Sequence, residues 1–123
     1  MELFKMNDYL KRANPDPTKL FIQQLLENRA ENLVGMFAVV PPGGQSSYHL
    51  HNKRESIRIV VSGRAKQLVE GKKIPIKTGD ILFIPAKEKH GILNDSTREF
   101  RFIEFQVGKP SEPDTVEVEW QEN

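Results

Sequence analysis

The stretch Gly43-Gly44-Gln45-Ser46-Ser47-Tyr48-His49-Leu50-His51-Asn52-Lys53-Arg54-Glu55-Ser56-Ile57-Arg58-Ile59-Val60-Val61-Ser62-Gly63 carries two of the chain's three histidines. The third, His90, lies in a second stretch that runs from Gly79 through Pro85 to Asn94. Side chains two apart on an extended strand point to one face, so His49 and His51 aim two imidazoles at one point. His90 supplies a third nitrogen if the strand after Ile81 to Pro85 lies alongside, as an antiparallel barrel allows. Imidazole suits zinc, iron, copper and nickel, and a facial set of nitrogens with one carboxylate leaves positions open for water or substrate. The chain has no cysteine. Disulfides and thiolate ligation are therefore excluded, and a metal must sit on nitrogen and oxygen.

The glycines, the proline and the asparagine stand at fixed offsets from these histidines. Five residues separate Gly43 from His49 and three separate His51 from Glu55; five separate Gly79 from Pro85, four Pro85 from His90, and three His90 from Asn94. This spacing resembles the cupin family, small jelly-roll barrels whose two signature motifs supply three histidines and a glutamate to a metal. The resemblance covers residues 43 to 94 and continues toward Gly108. It implies an all-β, single-domain jelly-roll β-barrel over residues 1 to 123, with residues 1 to 30 as an N-terminal extension. It also implies a divalent ion (iron, manganese, nickel or zinc) with His49, His51, Glu55 and His90 as ligands. Asn94 is expected to fix a loop, and Tyr48 to pack.

Two positions depart from the family pattern. Lys87 stands where the family usually has glycine. The family also places six residues between its glutamate and the closing glycine, whereas seven separate Glu55 from Gly63, and Ser56 fills the expected slot. On a regular strand Ser56, Arg58 and Val60 share the inward face and Glu55 points away. Either a bulge returns Glu55 to the metal, or the site has three histidines and no carboxylate. In the second case Arg58 also faces inward, where its guanidinium can hold a substrate carboxylate or phosphate bidentately. A solvated strand residue is the alternative for Arg58.

The pattern along the chain agrees with a β fold independently of any family. Leu33 to Val40 is a β-rich run closed by Pro41-Pro42-Gly43-Gly44, and Ile57 to Val61 is a second. Residues 64 to 70 and 73 to 77 read as a hairpin around Glu70-Gly71-Lys72. Further runs are Ile81 to Ile84, Phe100 to Val107 and Thr115 to Trp120. Alternation at Leu20, Ile22, Gln24 and Leu26 favours a strand over a helix there, and residues 1 to 17 are mixed. Short strands at this spacing suggest a sandwich or barrel.

Composition narrows the partners. Eighteen basic against seventeen acidic side chains give a net charge of +1, so no field draws the chain to nucleic acid or to an anionic membrane. Met1-Glu2-Leu3-Phe4-Lys5 does not open a secretory signal, and a cytoplasmic protein is expected. Exposed edges in the terminal segments 1 to 30 and 115 to 120 suggest pairing into a homodimer.

A narrower resemblance lies in Ile59-Val60-Val61-Ser62-Gly63-Arg64-Ala65-Lys66 and Phe102-Ile103-Glu104-Phe105-Gln106-Val107-Gly108. These look like the corresponding stretches of the cupin domain of type II mannose-6-phosphate isomerases, which interconvert aldose and ketose phosphates with a divalent metal. In that family the strand after the second motif turns its carboxylate inward, which makes Glu104 the candidate general base. An outward glutamate is the other reading, and Ser56 stands where those isomerases carry glutamate. Three classes follow. The first is a metal-dependent isomerase of a small sugar, sugar phosphate or organic acid. The second is an iron oxygenase with Arg58 orienting an acidic substrate. The third is a barrel that captures a small ligand without chemistry.

Overall fold

The computed structural model describes residues 1–123. A short helix, α1 (Met6–Ala13), precedes ten strands: β1 (Phe21–Gln24), β2 (Leu33–Val40), β3 (His49–His51), β4 (Ser56–Ser62), β5 (Arg64–Val69), β6 (Lys72–Lys77), β7 (Ile81–Ile84), β8 (His90–Leu93), β9 (Phe100–Val107) and β10 (Thr115–Glu117). They form two five-stranded antiparallel sheets, ordered β1-β2-β9-β4-β7 and β10-β3-β8-β5-β6. The architecture is the expected all-β jelly roll. Its apolar core lies between the sheets: Ala38, Val40, Val60, Phe100 and Phe102 come from the first, and Ala65, Ile76 and Ile92 from the second.

The runs become strands for readable reasons. Leu33 to Val40 is apolar without alternation because both of its faces are covered. Ala38 and Val40 enter the core, while Phe37 on the opposite face meets the rings of Tyr9 and Phe21 at 5.9 and 6.1 Å. The hairpin between β5 and β6 turns on Glu70 and Gly71, whose φ values of 45° and 79° are both positive, the geometry that suits the twist of paired strands.

Helix α1 is absent from the sequence expectations, which leave residues 1 to 17 mixed. Its signal is brief: Met6, Tyr9, Leu10 and Ala13 share one face, with Asp8 in the first turn and Lys11 and Arg12 in the last, as the helix dipole favours. Asn14 ends it at φ 44°. Eight residues are too few to hold a helix alone in water. The contact of Tyr9 with Phe37 anchors it.

Two turn positions require a left-handed backbone, one between β4 and β5 and one in the turn ahead of β8. Gly63 has φ +97°, and a Cβ there would meet the Glu99 carbonyl oxygen at 2.7 Å. Lys87, in the family's glycine slot, also has a left-handed φ of 71°, and its N–H donates to the His51 carbonyl at 2.7 Å. The slot therefore demands a conformation that glycine adopts freely and lysine adopts at a cost. No helix is long and apolar enough to cross a membrane.

A Lys87→Gly chain is expected to be more stable than wild type by about 1 kcal/mol, because the strain disappears and the exposed side chain loses no packing. A Gly63→Ala chain is expected to be less stable than wild type, since strain and a backbone clash combine. Urea midpoints compare the three chains. Equal stability of wild type and Gly63→Ala, or a loss in Lys87→Gly, would contradict this account of the turns.

Candidate metal centre

The three histidines converge. His49 and His51 come from β3, and β3 pairs antiparallel with β8 so that His49 lies opposite His90. Ring centroids are 5.0 Å apart for His49 and His51, 4.5 Å for His49 and His90, and 5.3 Å for His51 and His90. One ligand nitrogen from each ring lies within 4.8 Å of the other two. Metal–nitrogen bonds of about 2.0–2.1 Å would require spacings no greater than this, so the three rings are placed where they could share one ion.

The other nitrogen of each ring is occupied. His90 Nδ1 is 2.9 Å from the Glu88 carbonyl oxygen and His49 Nδ1 is 3.0 Å from the Ser47 carbonyl oxygen. A carbonyl only accepts, so the Glu88 contact puts the His90 proton on Nδ1 and leaves Nε2 with a lone pair; His49 Nδ1 also has the Ser47 hydroxyl at 2.9 Å, and with its proton on Nδ1 both Ser47 oxygens accept. His51 Nδ1 lies 3.2 Å from Thr115 Oγ1 across the β3–β10 pairing. Oxygen partners of this kind orient metal-binding imidazoles. The sequence reading does not single out Ser47, Glu88 or Thr115, because two of them act through the backbone and the third through a strand far along the chain.

Three buried side-chain polar atoms have no hydrogen-bond partner: His51 Nε2, His90 Nε2 and Ser56 Oγ. A buried lone pair without a donor costs free energy unless something answers it. A cation answers two imidazole nitrogens, and the donor set fits a divalent ion of the zinc, iron, manganese or nickel kind.

The structure does not bring Glu55 to the histidines. Glu55 is exposed, Ser56 is buried, and the pairing of β4 is regular from Ser56 to Val60. The irregularity in β4 falls between Val60 and Ser62 instead. Strand alternation thus turns Ser56 and Arg58 inward, and the inward group at the glutamate slot is a hydroxyl.

Arg58 and Glu104 are both buried and bound to each other. Arg58 Nε donates to Glu104 Oε1 at 2.8 Å, and Nη2 lies 2.6 Å from the same oxygen. Gln106 Nε2 donates to Glu104 Oε2 at 2.6 Å, Arg58 Nη1 donates to Gln67 Oε1 at 2.8 Å, and the guanidinium lies 4.4 Å over the Phe102 ring. Burial alone raises the Glu104 carboxyl, but the Arg58 charge and the hydrogen bonds from Gln106 and Arg58 outweigh it and hold the group below its ordinary range. Gln67 and Gln106 brace the Arg58–Glu104 pair, and the sequence reading passes over them. Their signal is inward alternation with Ala65 and Glu104. Asn94 fixes its loop, donating to the Val40 and Arg98 carbonyls at 3.0 and 2.8 Å. Tyr48 packs edge-on against Trp120.

Burial, first of all, lowers the proton affinity of all three imidazoles. For His90, Arg58 and His49 add to it against the Glu88 carbonyl and Glu104, and the group is pushed down to about 4. All three rings are neutral at pH 7. In metal-free protein the unfolded chain takes up protons on these rings near pH 6.5, while the folded chain does so only at lower pH. Folded stability is therefore full above the ordinary histidine range and declines as pH falls from about 6.5 toward about 4. Thermal melts of chelator-treated protein across this range check it; a melting temperature that rises on acidification would show that the rings are not buried neutral.

The cupin domain family model matches residues 36–106. An uncharacterized protein of Methanocaldococcus jannaschii is 35% identical over 57 residues, 46% of this chain and 46% of that protein, so the match spans about half of that relative's length. An oxalate-binding protein of Thermotoga maritima is 29% identical over 84 residues, 68% of each chain. A solved structure of an uncharacterized conserved protein with a double-stranded β-helix domain, from Klebsiella pneumoniae, superposes with a TM-score of 0.82 at 21% identity and covers 97% of this chain and 98% of its own. That likeness concerns the fold. The family match takes in the strands that hold His49, His51 and His90 together, and on that ground the chain belongs to the cupin family.

Proposed function

We propose that the chain holds one divalent ion on His49, His51 and His90 and uses it to bind a small organic acid. The observation that carries the reading is the pair of buried, unpartnered nitrogens, His51 Nε2 and His90 Nε2, in a cluster with His49. Three neutral imidazoles cancel none of the ion's charge. A site without a carboxylate ligand therefore favours an anionic ligand over a neutral sugar. The similarity to an oxalate-binding protein supports the same chemical class.

When bound, the ion supplies Lewis acidity toward an oxygen of the ligand. The chain's own residues do the rest. The Ser47 and Glu88 carbonyls hold the imidazole tautomers, and the inward Ser56 hydroxyl offers a hydrogen bond that no protein group takes. Glu104 has both oxygens engaged, so proton transfer by this carboxylate would first have to break the contacts with Arg58 or Gln106. That favours an organic acid held at the ion over an isomerisation that Glu104 drives. With ferrous iron the same three-nitrogen set suits an oxygen-using enzyme of an organic acid, and oxygen uptake in the presence of the acid distinguishes turnover from capture.

Elemental analysis of tag-free protein is expected to find one ion per chain, lost in His49→Ala. Calorimetric titration with oxalate is then expected to give binding in metal-loaded protein and none after chelation. No metal after reconstitution with iron, manganese, nickel and zinc in turn would remove the proposal. Equal oxalate binding with and without metal would favour a barrel that captures its ligand through other groups.

A further inference from the structure

A cleft of about 470 Å³ lies at the end of the β5–β6 hairpin remote from the histidines. Arg64, Lys77 and Arg98 line it together with the hydroxyl residues Thr78, Ser96 and Thr97, and no acidic or hydrophobic side chain takes part. Position along β5 sets the separation. Val69 lies opposite His90, whereas Arg64 stands five residues earlier, roughly 17 Å away along an extended strand. The face differs as well. Ala65 and Ile76, the strand neighbours of Arg64 and Lys77, enter the core, so both cations turn to the outer side.

The chain concentrates positive charge here and does not answer it. Arg64 and Lys77 are direct partners across β5 and β6, and like charges set opposite each other on paired strands destabilise the pairing. None of the three cations belongs to an ion pair of the chain. The acidic groups nearby are engaged elsewhere: Asp95 with Lys66 at 3.8 Å, Glu99 Oε1 with Arg101 Nε at 2.7 Å, and Asp80 Oδ2 with the Lys77 N–H at 2.9 Å. In a chain whose net charge is only +1, this local excess belongs to the cleft and not to the composition.

The walls of the cleft are held before any ligand arrives. Asn94, fully buried, donates Nδ2 to the Arg98 carbonyl at 2.8 Å, and its Oδ1 accepts from the Ser96 N–H and hydroxyl at 3.0 and 2.7 Å. On the other side Thr78 Oγ1 accepts from the Gly63 N–H at 3.0 Å, and the Thr78 N–H donates to the Gly63 carbonyl at 3.0 Å. Walls braced in this way lose little freedom when a ligand binds.

We infer that this cleft binds a small molecule carrying a diphosphate group. Arginine forks pair bidentately with phosphoryl oxygens and a lysine adds a point charge, while the Thr78 and Thr97 hydroxyls can donate to oxygens that remain. A single phosphoryl group carries about −1.5 to −2 at pH 7, which falls short of three cations, and two such groups in one molecule match them. Without an apolar side chain the cleft has no surface for a nucleobase or an acyl chain. Three cations in one place also fall short of the longer basic stripe that a nucleic acid backbone follows. The site stands apart from the histidines, so it does not depend on a metal there.

Calorimetric titration of the full chain with inorganic pyrophosphate at low ionic strength tests the inference. One pyrophosphate per chain is expected, bound about tenfold or more tightly than inorganic phosphate, and equally well by wild type and His49→Ala. Arg64→Gln combined with Arg98→Gln is expected to weaken binding about 100-fold, and Lys77→Gln alone about tenfold. Thermal melts give an independent readout. Pyrophosphate is expected to raise the melting temperature of wild type and not that of the double variant, and without ligand the double variant is expected to melt no lower than wild type, because the opposed charges are gone. A wild-type chain that binds no pyrophosphate would overturn the inference, and so would folded cleft variants that bind it as wild type does. Binding lost in His49→Ala would place the anion at the histidines instead, and a single-stranded oligonucleotide that pyrophosphate fails to displace would assign the cleft to nucleic acid.

Discussion

The register of β3 on β8 is the constraint on which the site depends. His49 and His51 share a face by strand alternation alone, but His90 joins them only because it lies opposite His49. A slip of one residue would turn the His90 ring to the other face of the sheet. Four pairs with β5, from Lys66 with Leu93 to Val69 with His90, hold β8 on its other side, and β10 holds β3. Gly91 adds a steric lock, since any Cβ there would press on the Ser47 carbonyl at 3.0 Å. The Ser47 and Glu88 carbonyls that orient the imidazoles belong to the chain entering these two strands. Strand pairing and ligand orientation are therefore one structural fact.

The space between the sheets is divided along the strands. On β4 the inward series runs Ser56, Arg58, Val60, and on β9 it runs Gln106, Glu104, Phe102, Phe100; the pairing aligns polar with polar and apolar with apolar. Arg58 sits at the boundary, over Phe102 on one side and against Glu104 on the other. A buried ion pair adds little net stability when complete, but removing one partner costs about 3–5 kcal/mol because the other is left charged in a poor solvent. The pair is thus obligatory as a pair. It places a fixed, internally neutralised charge couple near the histidines, and it leaves an incoming anion to be attracted mainly by an ion on those rings.

The fold was legible in the sequence because its main signals are local. Leu33 to Val40, Ile57 to Val61, the Glu70-Gly71 hairpin and Phe100 to Val107 each announce a strand or turn through period and punctuation, and the structure has each of them. The convergence of the histidines was legible because motif spacing encodes register. The fate of Glu55 was not, since a bulge and a regular strand predict opposite faces and spacing alone does not choose. A regular strand from Ser56 buries Ser56, Arg58 and Val60 and exposes Glu55, and this is the alternative that the β4 pairing has. The mutual engagement of Arg58 and Glu104 was hidden for another reason. Taken singly, each is either a group facing substrate or an outward strand residue, and their separation of 46 positions is closed only by the β4–β9 pairing. Helix α1 is not legible in the sequence because two turns carry too little periodicity to stand out.

The strand β4 shows how one short sequence serves two purposes. With a period of two, Ser56, Arg58 and Val60 write the interior, while Ile57, Ile59 and Val61 write the exterior, and the two sets are nearly independent. The inward set tolerates a serine, an arginine and a valine because each meets a different depth between the sheets. The outward set is uniformly β-branched and apolar, with Ile57 and Val61 exposed and Ile59 half-buried. If strand stability alone had shaped that face, threonine or an occasional charge would have served as well and kept the surface soluble. The histidines stand on the other sheet, so a change on the outward side of β4 leaves both the inward series and the β3–β8 pairing untouched.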